Sequence, residues 1–369
     1  MALPELENKN KRLLDLLDRL HLDGVLLSER ANFRWISGGR DNGQTLAWPW
    51  TAASILFTRA ERLCLASSLA TARMEAEEMM GMGWKTVSYP WDNQAAAQKM
   101  AREIIGSRRI AADVDIFGLN LPPLPSGFGE LKLVLTEGEI IRYREGAKRT
   151  TAAVQAAARE LRPGQTEHDI AGVVEHHLHR QGVTPIRVWV TADDRAGRFG
   201  CVPPTELKAM QCVVIAASAD YRGLVCTMTR MVHFGPPSAD FRKRYQAVSN
   251  LDAALILSTR TGRSLAEFGG IIQQVCTQEG YPNFANAFHP GGISGYGVCA
   301  LSAGPEAAWV LRENQSIAWT PALPGARTGD TILLSAKGPE PLTQIQGDWP
   351  KLVGHHGGQT MPRPDVLVI

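Results

Sequence analysis

The sequence predicts an α/β protein of two domains, and three observations carry that prediction. The chain has 369 residues, more than one ordinary domain holds and comfortable for two. Its first third alternates helical and strand signals at short intervals. The remainder opens on two amphipathic helices before long strands take over. The expected division is a smaller α/β domain over 1–136 and a larger C-terminal domain over 137–369 that carries the pocket.

The elements follow in order. Leu13, Leu16, Leu17 and Leu20 recur at helical spacing, and GVLL then begins a short strand. NFRWISGG comes next, followed by SILFTRAERLCLAS, which reads as a hairpin. LATARMEAEEMMG and NQAAAQKMAREIIG read as two further helices on either side of WKTVSY, and the domain closes with the segment from Ala112 to Leu135. TEGEIIRYREGAKRTTAAVQAAARELRPGQT predicts a long amphipathic helix stopped by Pro-Gly. Thr166, a capping-type residue, opens a second helix. Strands dominate afterwards, interrupted by helices expected over 240–261 and 264–279.

Composition excludes several functions. A net charge of +2 leaves no basic footprint for nucleic acid. Apolar runs such as SILF and CVVIAA are far too short to span a bilayer, so no membrane partner is expected. MALPELENKNKR mixes acids and bases before any apolar run and does not read as a secretory signal. Cys64, Cys201, Cys212, Cys226, Cys276 and Cys299 show no CxxC spacing, a pattern of reduced thiols in a cytoplasm. Gly291, Gly292, Gly295 and Gly297 lack the spacing and the Lys-Ser/Thr of a phosphate loop.

The run CVVIAASADYRGLVCTMTRMVHFG resembles the metal-binding hairpin of the creatinase and aminopeptidase P family, whose pattern is D.G..Y.G…D.TR…FG. Tyr221, Arg222, Gly223, Thr229, Arg230, Phe234 and Gly235 keep its frame. NFRWISGG is similar to the family's N.RYLTG signature, EIIRYREGAKRT to its E…R.A helix, PGQTEHDIA to PG.TE.E.A, and ENQSIAWTPALPGARTGDTILL to its last two strands. The resemblance covers nearly the whole chain. It implies a pita-bread C-terminal domain behind a small creatinase-like α/β domain, and a homodimer whose N-terminal domain closes a pocket, its own or the partner's.

The same resemblance places the five metal ligands at Ala216, Thr227, Gly292, Thr320 and Gly329. None offers the anionic oxygen or imidazole that such a centre needs. The family's substrate-side histidine is missing from GCVPPTE, although Cys201 lies there. No catalytic metal and no cofactor are therefore expected, and the alanine and glycines suggest added space. AFHPGGISGY, IAWTPALPG and GDWP further resemble a branch of the family that reads H.GG..GY, AW.P…G and WP; Gly329 departs even from that branch.

His289, in a glycine-rich turn, is the expected catalytic acid/base, since an imidazole near neutrality shuttles protons. The alternatives are ligand binding without catalysis and a histidine bonded to the backbone of its turn. Arg230 reads either as a strand-holding ion pair or as the seat of an anionic substrate group. Thr227 and Thr320 would offer neutral hydrogen bonds. Cys201, Cys226 and Cys299 line the expected pocket, as nucleophile candidates or as apolar filler. Tyr296, Trp319, Trp349 and, from the N-terminal domain, Trp35 or Trp48 suggest an apolar, partly flat ligand. Glu175, His176 and His179, and the pair His355–His356, read as surface rather than metal sites.

Two functions follow. One is a metal-independent enzyme acting on a small amphipathic metabolite, as in a specialised biosynthetic pathway, by C–N hydrolysis, elimination, isomerisation or cyclisation. The other is an inactive peptidase homologue that binds a small molecule or peptide. Intact metallopeptidase activity is argued against by the five lost ligands.

Overall fold

A computed structural model describes residues 2–43 and 50–369. Trp48, one of the expected pocket aromatics, lies outside the described residues. The chain divides into two compact units, Met1–Lys132 with Thr136–Glu139, and Leu133–Leu135 with Ile140–Ile369.

The first unit contains helix α1 (Ala2–Arg19), strand β1 (Gly24–Glu29), α2 (Arg30–Ile36), β2 (Trp50–Thr58), β3 (Arg62–Ser67), α3 (Thr71–Arg73), β4 (Lys85–Tyr89), α4 (Gln94–Ile105) and β5 (Ile110–Ala112). Its sheet has the order β4-β3-β2-β1-β5, with β1–β2 and β2–β3 antiparallel and both outer pairs parallel. Leu13, Leu16 and Leu17 form the buried stripe of α1, whereas Leu20 falls past the helix end and is exposed. The helix expected over LATARMEAEEMMG is only α3 followed by a π-turn over Met74–Glu78. The Met79 N–H reaches Met74 O at 2.7 Å, and this five-residue spacing buries both methionines where an α-helical turn would splay them.

The second unit continues α5 (Glu137–Glu160) from its first turn and adds α6 (Glu167–Arg180), β6 (Thr184–Ala192), α7 (Asp193–Arg198), β7 (Cys212–Tyr221), β8 (Leu224–His233), α8 (Ala239–Ser258), α9 (Glu267–Gln278), β9 (Gly291–Ile293), β10 (Leu301–Ser302), β11 (Gln315–Trp319), β12 (Ala322–Leu323), β13 (Ala326–Arg327), β14 (Asp330–Ser335), β15 (Gly338–Pro341), β16 (Lys351–His356), β17 (Gln359–Pro364) and β18 (Leu367–Val368). Helix α6 starts at a capping box: Thr166 accepts from the Asp169 N–H, and Asp169 accepts from the Thr166 N–H.

Two sheets position the site. One has the order β18-β8-β7-β6, the other β10-β9-β11-β14-β15. Side chains alternate across β7 and β8. Val213, Ile215, Ala217, Met228 and Val232 pack with the apolar stripes of α5 and α6. The opposite face, from Val214 and Met231, joins the core formed by α8, α9, β11 and β14.

Candidate functional site

The register of the β6–β7–β8 meander sets out the floor of the site. Trp189, Ala216 and Thr229 lie in one row, and Arg187, Ser218 and Thr227 in the next. The Ser218 and Thr227 hydroxyls meet at 2.9 Å, and Arg187 donates through Nη2 to Ser218 Oγ at 3.3 Å. The Arg187 guanidinium also lies over the Trp189 ring, 4.2 Å from its centroid. Burial lowers the Arg187 pKa, and the neighbours that oppose this shift are Cys201 and Cys299 rather than any carboxylate. Where the resemblance aligns two aspartates, at 216 and 227, this face carries a methyl, a hydroxyl pair and a guanidinium.

Strands β9 and β10 form the rim. His289 is exposed; its Nδ1 accepts the Gly291 N–H at 3.1 Å, and its Nε2 lies 3.0 Å from Ser302 Oγ. A backbone N–H can only donate, so the neutral ring carries its proton on Nε2 and donates it to Ser302. Ser302 Oγ is 3.6 Å from Cys299 Sγ. Thr320 donates to His289 O at 2.9 Å, which ties the end of β11 to the turn. On the other side, Arg327 Nη1 lies 3.7 Å from Cys201 Sγ, and its Nη2 donates to Phe199 O at 3.1 Å. His289, Thr320, Cys299 and Ser302 are thus joined by contacts. Cys201 and Arg187 adjoin them through electrostatic range, and Thr227 through Ser218.

Other expected site residues stand elsewhere. Cys226 projects to the face opposite Thr227, is fully buried with Tyr143 and Leu333, and has its thiol pushed up by burial. Arg230 shares that face. It is 0% exposed and donates to Asp330 Oδ1 at 2.8 Å and Thr343 O at 2.9 Å. Asp330 also pairs with Arg363, which donates to Asp252 Oδ2 at 2.7 Å. Arg230 is therefore spent inside a buried network that locks β8 to β14. Burial holds the Asp252 carboxyl up at about 6, with Arg363 pulling the other way. Trp319 is core: its ring lies against Phe268, and its Nε1 donates to Thr259 Oγ1 at 3.0 Å. Trp349 is buried and donates to Asp365 O at 3.0 Å. Tyr296 is half-buried and accepts from Arg142 at 3.2 Å. Trp35 is buried inside the first unit, edge-on to Phe128. Glu175, His176 and His179 are exposed on α6, as expected of a solvated face.

The glycines do not add space, contrary to expectation. A Cβ at Gly292 would sit 2.0 Å from Leu301 O, and one at Gly329 would sit 2.7 Å from Trp319 O. Backbone has closed onto both positions, so neither a histidine nor a glutamate fits there without moving a strand. Among the described residues no group of three His, Cys, Asp or Glu side chains could hold a metal ion. The residues present therefore do not fit the dinuclear centre the resemblance implies. Sequence reading missed Arg187, Trp189 and Ser302. Arg187 and Trp189 alternate in RVW, but only the pairing of β6 with β7 reveals which face they share.

The model of metallopeptidase family M24 matches residues 142–336, and the chain belongs to that family. An uncharacterised peptidase of Staphylococcus aureus strain MW2 is 23% identical over 226 residues, 59% of this chain and 64% of the relative. That match spans just under two thirds of the relative's length. A Xaa-Pro dipeptidase from Bacillus anthracis is similar in structure with a TM-score of 0.77 at 16% identity, over 99% of this chain and all of that one. Prolidase from Pyrococcus furiosus follows with a TM-score of 0.75 at 18% identity, over 91% of this chain and all of that one. The fold is the pita-bread fold, preceded along the chain by a smaller α/β domain.

Proposed function

We propose that this chain is a metal-independent enzyme on the M24 scaffold, acting on a small amphipathic metabolite with His289 as its proton-transfer group. The carrying observation is the directed chain from the Gly291 N–H to His289 Nδ1, and from His289 Nε2–H to Ser302 Oγ. Because Ser302 accepts from the ring, its own proton is free to point at a ligand or at Cys299. The site so presents a hydrogen-bond donor to charge that develops on a departing nitrogen or oxygen. For full transfer the Gly291 contact opens, Nδ1 takes up a proton from solvent, and the imidazolium passes its Nε2 proton through Ser302 to the leaving atom. This favours C–N hydrolysis or elimination; isomerisation or cyclisation would return the proton to the same hydroxyl. The protein is read as a cytoplasmic homodimer that needs no cofactor.

A second reading, a small-molecule or peptide binding protein, is favoured by one observation. Ser218 is 0% and Thr227 3% exposed, so the old metal face is covered rather than open. Incubation of chelator-treated protein with a metabolite extract, followed by mass spectrometry, separates the two. Wild type should consume a metabolite that His289→Ala leaves alone, with turnover down by about 10²-fold or more. Equal consumption by both would remove His289 from the mechanism. Consumption by neither, with a metabolite retained on the protein, would establish the binding protein.

A further inference from the structure

Arg187 has no task in the proton-transfer chain, yet from the edge strand β6 it stands on the same sheet face as Ser218 and Thr227. Its Nε is buried without a hydrogen-bond partner among the described residues, and no carboxylate there pairs with it. Partly buried guanidinium groups are ordinarily compensated by an anion or by several acceptors. Its side-chain acceptor among the described residues is the neutral Ser218 hydroxyl, at a long 3.3 Å. A second cation, Arg327, adds to the imbalance: its Nε is also buried and unpartnered, and its nearest polar neighbours are a thiol and a carbonyl. The face on which relatives would place carboxylates thus carries uncompensated positive charge, which repels a divalent cation and attracts an anion.

We propose that Arg187 anchors an oxyanion group of the ligand, a carboxylate or a phosphate, on the face once shaped for metal. The unpartnered Nε and the adjacent Nη supply the planar fork that receives two oxygens in parallel. The Trp189 ring beneath the guanidinium supplies a flat apolar platform for the rest of the molecule. This deepens the reading above and rests on it for the word substrate: the acid group docks at Arg187 while the reacting bond lies towards Ser302 and His289. The seat itself is independent of whether His289 turns anything over.

Isothermal titration calorimetry of the full chain at low ionic strength tests the seat, with inorganic phosphate and benzoate as probes. One of them should bind saturably, and which one binds tells phosphate from carboxylate. Arg187→Gln should weaken that binding by about tenfold or more, the worth of a hydrogen-bonded charge. Arg187→Lys, which keeps the charge and loses the fork, should fall between the two. His289→Ala and the surface variant Arg144→Gln should bind as wild type does. No saturable binding of either probe to wild type, or wild-type affinity in Arg187→Gln, overturns the seat. If Arg187→Gln fails to fold by circular dichroism, wild-type affinity in Arg187→Lys overturns it instead. Anion binding lost in the Arg187 variants, with turnover unchanged in His289→Ala, would refute the reaction reading and leave the seat standing.

Discussion

Gly329, where the resemblance places a glutamate, is glycine for a reason the sequence does not display. Its carbonyl accepts from both the Thr229 N–H, at 3.0 Å, and Arg230 Nη1, at 3.2 Å. Its Cα lies so close to β11 that a Cβ would meet Trp319 O at 2.7 Å. The sequence shows only which residue types stand at the five positions that the resemblance aligns with metal ligands. Whether the vacated volume is open or filled depends on where two strands far apart in sequence come to rest, and that was misjudged. Gly329→Glu should therefore not restore a ligand. It should destabilise the second unit by about 1–3 kcal/mol, as overpacking does. Urea denaturation followed by tryptophan fluorescence measures this; a variant as stable as wild type would mean the site relaxes and that the closure is soft.

Among the elements, those with strong local signals were legible: the β2–β3 hairpin, α4, α5, the capped α6, and the β7–β8 hairpin with its retained Tyr221, Gly223 and Thr229–Arg230. What pairing decides was not. Cys226 and Thr227 are adjacent in sequence and face opposite ways, so only one can share a surface with Ser218. Helix α2 gives a similar lesson in the first unit. Its Arg30 and Arg34 both bond Asp41, which also accepts the Gly43 N–H at 2.8 Å. Burial works to raise the Asp41 pKa, but the bonds from Arg30 and Arg34 outweigh it and hold the carboxyl far below the usual range. A depressed folded value contributes stability that is fully present above the unfolded pKa, near 3.9, and is lost progressively as pH falls from there through the depressed folded value. Asp41→Asn should thus lower the melting temperature at pH 7, and the gap to wild type should shrink below about pH 4. Melts across pH 2.5–8 by circular dichroism check this, and a constant gap would deny the carboxylate its role.

For the molecule as a whole, membership of a metallopeptidase family and the chemistry of the site point in different directions, and metal binding is where they can be separated. In a protein with a preformed centre, a divalent ion binds the folded state and raises its melting temperature by mass action. Here the aligned positions hold methyl, hydroxyl and hydrogen side chains, Arg187 brings positive charge to the same face, and the described residues contain no three-donor group. The segment outside them, residues 44–49, reads QTLAWP and supplies no carboxylate, thiol or imidazole. Millimolar manganese or cobalt added to chelator-treated protein should therefore shift the melting temperature by less than about 1 °C. It should also produce no cleavage of Xaa-Pro dipeptides. A shift of several degrees, above all one enlarged by Arg187→Asp, would show a metal seated on this face by donors that the aligned positions do not supply. Metal-dependent cleavage would return the chain to the activity of its structural neighbours. An unmoved melting curve beside a metabolite-consuming wild type is the outcome expected of a scaffold that has exchanged a dication for a guanidinium and a relayed proton.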